Sequence, residues 1–268
     1  MVADVHATVW DETGGTGPRA LLVHGSTAWG DDPLLGFAAQ RPLAGHGFRV
    51  LAVDRRGHGR SAGTGSAEYA SDYRADAADI TGLMGDGAHL LGHSYGAVGV
   101  MLAAARRPEA VLSLALIEPG SYQAAADDPV VAAALRANRE AIANVPADVT
   151  AGDYLRAAAD SAGMPPLEPT PERLRAAGAA LRERLCWEAP IPVAELAAAP
   201  WPKLVLSGTW ESAPALYRER GGAPLMACAR VTAERIGARL VRIPGAAHYP
   251  HVERPDAVNA ALRALWTS

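Results

Sequence analysis

The sequence predicts an α/β fold: a mostly parallel central sheet with helices on both faces and an inserted helical cap. Three observations predict it. Short continuous apolar runs, stopped by Gly, Asp or Pro, alternate with longer segments of helical apolar spacing. This alternation breaks over residues 121–200, which are rich in Ala and Pro and carry no convincing strand. It then resumes to the end of the chain, so residues 1–120 and 201–268 read as one core and 121–200 as the cap.

Taken in order, residues 4 to 11 alternate loosely and predict an N-terminal strand. Arg19 to Val23 is a buried strand stopped by His24-Gly25, and Phe48 to Val53 is another, stopped by Asp54 and a Gly-rich loop. Between them Leu34 to Leu43 reads as a helix ended by Gly45 and Gly47. Tyr69 to Met84 is helical, Ala88 to Leu91 a short strand, and Tyr95 to Arg107 a helix halted by Pro108. Val111 to Ile117 is a strand ending at Glu118-Pro119. After the cap come the strand Lys203 to Leu206, a helix over Leu225 to Ile236, the strand Arg239 to Ile243 and a final helix from Asp256 to Trp266.

Composition narrows the function. The chain has 268 residues, enough to bury about three quarters of its unfolded surface. A net charge of −4 and the lack of a polybasic cluster speak against nucleic acid and anionic membrane as partners. Of the 25 basic residues Lys203 alone is lysine, which with the abundant alanine reads as a genomic bias. Cys186 and Cys228 leave one disulfide open but form neither a disulfide framework nor a metal site. The stretch Met1 to His6 lacks the features of a secretory signal, and no apolar run approaches a membrane span, so the expected location is cytoplasmic.

The strongest local signal is Gly92-His93-Ser94-Tyr95-Gly96, a G-x-S-x-G pattern with a strand before it and a helix after it. A strand that turns sharply into a helix strains the backbone at the serine and exposes its hydroxyl. A serine hydroxyl needs a positioned base, usually histidine. Of the eight histidines, His24 and His93 lie within rigid strand ends, and His46 and His89 sit in turns near glycines as solvated residues. His248 stands in the loop between the last strand and the last helix, at the carboxyl end of the sheet where Ser94 also belongs. His251 is a lining or surface residue.

Four segments together resemble the α/β-hydrolase superfamily. They are Leu21 to Gly25, Asp54 to Ser61, the turn at Ser94, and Pro244 to His248, in the family's order and spacing. The resemblance implies Ser94 as nucleophile and His248 as base. It also implies an oxyanion hole of the Tyr95 and Ser26 N–H groups, with Gly25 allowing close approach. The Asp54 to Ser61 loop is a structural turn near the site. For the acid that orients the imidazole, two glutamates compete. Glu211, after the penultimate strand, fits the family's commoner placement with Glu for Asp. Glu118, after the strand that follows the nucleophile's helix, fits a minority placement similar to zearalenone lactonase-like enzymes. It also ends an apolar strand, where a carboxylate is more readily held. Glu118 is the favoured choice, with Glu211 the alternative.

The expected reaction is hydrolysis of a carboxylic ester or lactone of a hydrophobic small molecule through an acyl-enzyme, without cofactor or metal. Met164, Trp187, Trp210 and Tyr249 are candidates to line the substrate pocket. Ser94 disfavours epoxide hydrolases and haloalkane dehalogenases, which resemble this chain but carry aspartate there. A carbon–carbon bond hydrolase, an acyltransferase or thioesterase, a hydroxynitrile lyase, and a non-hydrolytic ligand-binding or cyclase protein remain alternatives. Association into a homodimer is left open.

Overall fold

A computed structural model describes residues 5–61, 63, 66–162 and 164–268; for Ser161 and Ala162 only the backbone is described. The beginning of the N-terminal stretch read for a secretory signal, residues 1–4, lies outside the described residues. Seven strands form one sheet in the order β1-β3-β2-β4-β5-β6-β7. They are β1 Ala7–Trp10, β2 Arg19–Val23, β3 Arg49–Val53, β4 Ala88–His93, β5 Val111–Ile117, β6 Lys203–Gly208 and β7 Arg239–Ile243. Only β1 runs antiparallel, pairing with β3 at one edge. Each other neighbouring pair is parallel.

Parallel strands covered on both faces bury both sets of alternating side chains, hence the continuous apolar runs. Leu21 and Val23 of β2 join one core cluster, packed against helices α1 (Tyr73–Leu83) and α2 (Tyr95–Arg106). Ala20 and Leu22 join the opposite cluster, where Val258, Leu262 and Trp266 of the terminal helix cover the sheet. The caps explain several boundaries. Helix α1 starts where the Asp72 carboxylate accepts a hydrogen bond from the Arg74 N–H. Between β5 and β6 the described elements are helical: α3 Pro129–Ala143, α4 Ala151–Ala162, α5 Pro171–Ala180 and the short α6 Val193–Ala198, with two single 3-10 turns. Both α3 and α5 begin with proline, preceded by the caps Asp128 and Thr170. A short helix α7 (Ala215–Tyr217) leads into α8 (Ala223–Ile236), which ends at Gly237 with φ +69°. Helices α9 (Pro250–Glu253) and α10 (Pro255–Trp266) complete the chain.

Three expectations are corrected. Leu34 to Leu43 is not an α-helix. Asp32 accepts hydrogen bonds from the Leu34 and Gly36 N–H groups and holds a local turn, and a 3-10 stretch follows over Ala38–His46 with Pro42 inside it. His89 is not solvated: it lies in β4, bonded to the Ser113 hydroxyl at 2.9 Å and packed against Phe48 and Trp266. His251 is fully buried against Phe37 and His93, so it is not a surface residue, and it is not among the residues lining the cavity at Ser94. Both cysteines are buried free thiols.

Candidate functional site

The carboxyl ends of β2, β4, β5 and β6 converge at one edge of the sheet. Among the described residues, the non-glycine residues with positive φ are Thr27, Ser94, Glu118 and Trp210, which follow these four strands. Such conformations cost free energy and persist where the surroundings enforce them, so they single out this edge as the candidate site.

Ser94 carries the sharpest turn, with φ 51° and ψ −111°, between β4 and α2. Its N–H donates to the Ile117 carbonyl at 2.9 Å, and its own carbonyl accepts from Gly120 at 3.1 Å, which ties the turn to the end of β5. Close approach requires glycine nearby: a Cβ on Gly96 would lie 2.3 Å from the Val23 carbonyl oxygen. Ser94 Oγ lies 3.2 Å from His248 Nε2. The loop after β7 brings the imidazole there, and it is fixed in part by the bond between His93 Nε2 and the His248 carbonyl at 2.8 Å. Burial pushes the His248 pKa down to about 4, so the ring is neutral near pH 7 and able to accept a proton. Its Nδ1 has no hydrogen-bond partner among the described residues.

Glu118 is fully buried at the end of β5. Its Oε1 accepts from the Gly208 N–H at 2.6 Å and from the Trp210 indole N–H at 3.3 Å. Its Oε2 is buried and unpartnered among the described residues. Burial pushes the carboxyl up to about 7, against the lowering effect of hydrogen bonds from the Gly208 N–H, the Ser207 hydroxyl and the Trp210 indole. Glu211 is placed differently. It is exposed, and its Oε1 accepts from the Gly245 N–H at 2.9 Å. A hydrogen bond from Thr209, followed by that from Gly245, holds its pKa below the ordinary glutamate value.

Gly25 closes on Ser94 from the end of β2, where an added Cβ would meet His93 Nδ1 at 3.0 Å and Ser94 Cβ at 3.1 Å. Ser26 follows it. Tyr95, the first residue of α2, has an N–H without an intrahelical acceptor. In the neighbouring loop Asp54 accepts from the Gly30 and Arg60 N–H groups, the work of a structural turn.

A cavity of about 180 Å³ opens above Ser94 and His248. Met164 and Tyr249 line it, as the sequence suggests. Trp210 and Trp187 are not in its wall. The positive φ at Trp210 turns its fully buried ring into the core beneath, beside Glu118, and Trp187 packs against core residues from the turn Cys186–Glu188. Leu35, Tyr154, Leu155 and Tyr217 also line it, residues the sequence alone does not single out. Helical amphipathicity could flag Tyr154 and Leu155, but nothing local reveals which face meets the site. Among the described residues no cluster of three or more His, Cys, Asp or Glu side chains is arranged to hold a metal ion.

Residues 20–261 match the alpha/beta hydrolase family, and the chain belongs to it. A curated relative, 2-(acetamidomethylene)succinate hydrolase of Mesorhizobium japonicum, is 36% identical over 111 residues, which cover 40% of this chain and 38% of that protein. The match thus spans well under half of the relative's length. Among solved structures, a thermophilic esterase from Thermogutta terrifontis aligns with TM-score 0.63 and 23% identity, covering 97% of this chain and 92% of that one. The enol-lactonase from Burkholderia xenovorans aligns with TM-score 0.60 and 22% identity, covering 98% and 96%. These two likenesses are of fold. No helix among the described residues is long and apolar enough to cross a membrane.

Proposed function

We propose that this protein is a serine hydrolase that cleaves a carboxylic ester or lactone of a hydrophobic small molecule, with Ser94, His248 and Glu118 as its triad. The observation that carries the reading is the 3.2 Å contact between Ser94 Oγ and a neutral His248 Nε2 on the wall of a cavity. His248 removes the Ser94 proton as the oxygen attacks the acyl carbonyl, then delivers it to the leaving alcohol. The acyl-enzyme forms as the C–O bond breaks, and a water activated by the same imidazole hydrolyses it. The Ser26 and Tyr95 N–H groups hold the oxyanion.

Glu118 serves as the acid through its unpartnered oxygen. Glu118 Oε2 and His248 Nδ1 are complementary groups, each buried and each lacking a partner among the described residues. The reading requires His248 Nδ1 to donate to Glu118 Oε2 in the substrate complex. The helical segment 121–200 acts as the cap, with Tyr154, Leu155 and Met164 supplying the apolar roof. Fold neighbours that are an esterase and an enol-lactonase support the reaction class without fixing the substrate.

Replacing Ser94 by Ala tests the reading directly. Turnover of p-nitrophenyl esters falls by at least ~1000-fold, the protein stays folded, and a fluorophosphonate that labels the parent chain at residue 94 no longer reacts. Undiminished ester hydrolysis by the folded variant overturns it.

A further inference from the structure

A second group of buried charges lies directly under the proposed oxyanion hole and plays no part in the triad. At its centre is Arg55, whose side chain is 1% exposed. Its Nη1 donates to the Ser71 hydroxyl at 2.9 Å and to Asp76 at 3.1 Å, and its Nη2 donates to the Gly25 carbonyl at 3.2 Å. The guanidinium carbon sits 4.1 Å from the centre of the Tyr95 ring. One cation therefore touches the Gly25 carbonyl, in the peptide that carries the Ser26 N–H, and the side chain of Tyr95.

Glu183 joins this group from a distant part of the chain. One carboxylate oxygen accepts from the Ser26 hydroxyl at 2.6 Å, and the other lies 3.7 Å from Arg55 Nη2. The side chain is 12% exposed, so these are its main partners. The backbone holds it in place. Ser71 and Glu183 form a parallel bridge, the Ala70 N–H donates to the Arg182 carbonyl, and the Arg184 N–H donates to Ser71, each at 2.9 Å. The Tyr95 hydroxyl closes the circuit by donating to the Arg184 carbonyl at 2.9 Å. Residues 182–184 are thus stitched to the core at the segment that precedes α1, and their one inward carboxylate is spent on the loop that holds Ser26.

We propose that Glu183 is a positioning residue for the oxyanion hole: it holds the Ser26 loop through the Ser26 hydroxyl and, through Arg55, ties that loop to Tyr95. The inference rests on the reading of Ser94 as the nucleophile. An N–H donor stabilises the oxyanion only if it is aimed where the charge develops, and displacement by about 1 Å can cost as much as ~100-fold in rate. Arg55 is shared between the carboxyl groups of Asp76 and Glu183, and removing the guanidinium would leave both without their buried cation.

The test is a set of variants assayed on one p-nitrophenyl ester, with folding followed by thermal melting. Glu183→Gln keeps the shape and one acceptor but weakens both links. It should lower kcat roughly tenfold while KM stays within about twofold. Ser26→Ala keeps the backbone N–H and removes only the side-chain link, so it should lower kcat to a similar extent. The double variant should lose no more than the worse single one, because both changes cut the same connection. Glu183→Asp, which restores the charge on a shorter arm, should recover part of the loss. Wild-type kcat in Glu183→Gln, or losses that multiply in the double variant, overturns the proposal when Ser94→Ala is inactive. If Ser94→Ala is itself active, the reading of the nucleophile has failed and the proposal falls with it.

Discussion

The turns after β5 and β6 each deliver a glutamate to the same edge of the sheet, and they treat it in opposite ways. Glu118 is enclosed, with one oxygen held by Gly208 and Trp210 and the other without a hydrogen-bond partner among the described residues. Glu211 is exposed, and its carboxylate is used on Gly245 and Thr209 at the surface. Burial raises the first carboxyl to about 7, whereas hydrogen bonds lower the second. Both follow strands that end beside Ser94. The difference teaches that the strand a carboxylate follows does not decide its role. Enclosure is what separates the two: a buried carboxylate is held in one place, whereas a solvated one is mobile and screened.

The largest expected effect breaks this comparison if it fails. Glu118→Gln should lower kcat by ~100- to 10,000-fold, the range expected when the group that orients the base is neutralised. Steady-state kinetics on an activated ester measure it. A Glu118→Gln enzyme with near-normal kcat would mean that the enclosed glutamate is structural and that the comparison has been drawn backwards.

A second effect, smaller in energy, has the opposite sign on stability. Glu118 takes up its proton near pH 7 when folded and near its ordinary value, 4.5, when unfolded. Between these values the folded state binds more protons than the unfolded one, so stability falls as pH rises through the window. Above pH 7 the full cost of holding a buried carboxylate is present. Glu118→Gln removes it, and the variant should be more stable than the parent at pH 8 by roughly 3 kcal/mol. Below about pH 4.5 the charge-dependent difference should vanish. Urea unfolding at pH 4.5 and pH 8 measures both points. Equal stability of the two proteins at pH 8 would show that the Glu118 carboxylate is better compensated than its unpartnered oxygen implies.

What the sequence made legible follows the range of the forces involved. The strands of the parallel sheet stood out because both of their faces are apolar, and Leu21 and Leu22 indeed pack to opposite sides. The serine turn was legible because Gly96 and the flanking strand and helix are local features of one short stretch. Side-chain direction was not. Trp210 looked like a pocket residue, but a positive φ, invisible in the sequence, turns its ring into the core. The supposed helix at Leu34 lost to a hydrogen-bonded turn at Asp32. Glu183 gave no signal, because its partner Ser26 lies 157 residues away and only the assembled fold brings them together.

The smallest effect sharpens the comparison from the other side. Glu211→Gln should leave kcat and KM within about twofold of the parent enzyme, as for surface changes away from a site. The amide oxygen can still accept the Gly245 N–H, so the turn after β7 that carries His248 keeps its shape. The stability effect should also be slight and run contrary to that of Glu118. A lowered folded pKa gives stabilisation that is present above the ordinary value near 4.5 and fades as pH falls through the folded one. At an exposed site solvent screens most of it. Glu211→Ala separates the two ways in which this residue could still matter. It removes the Gly245 link as well as the charge, so a loss of kcat in the alanine variant with normal kcat in the glutamine variant would assign Glu211 to holding the His248 loop. A large loss in both would instead make the charge itself essential and transfer the role of the acid from the buried glutamate to the exposed one.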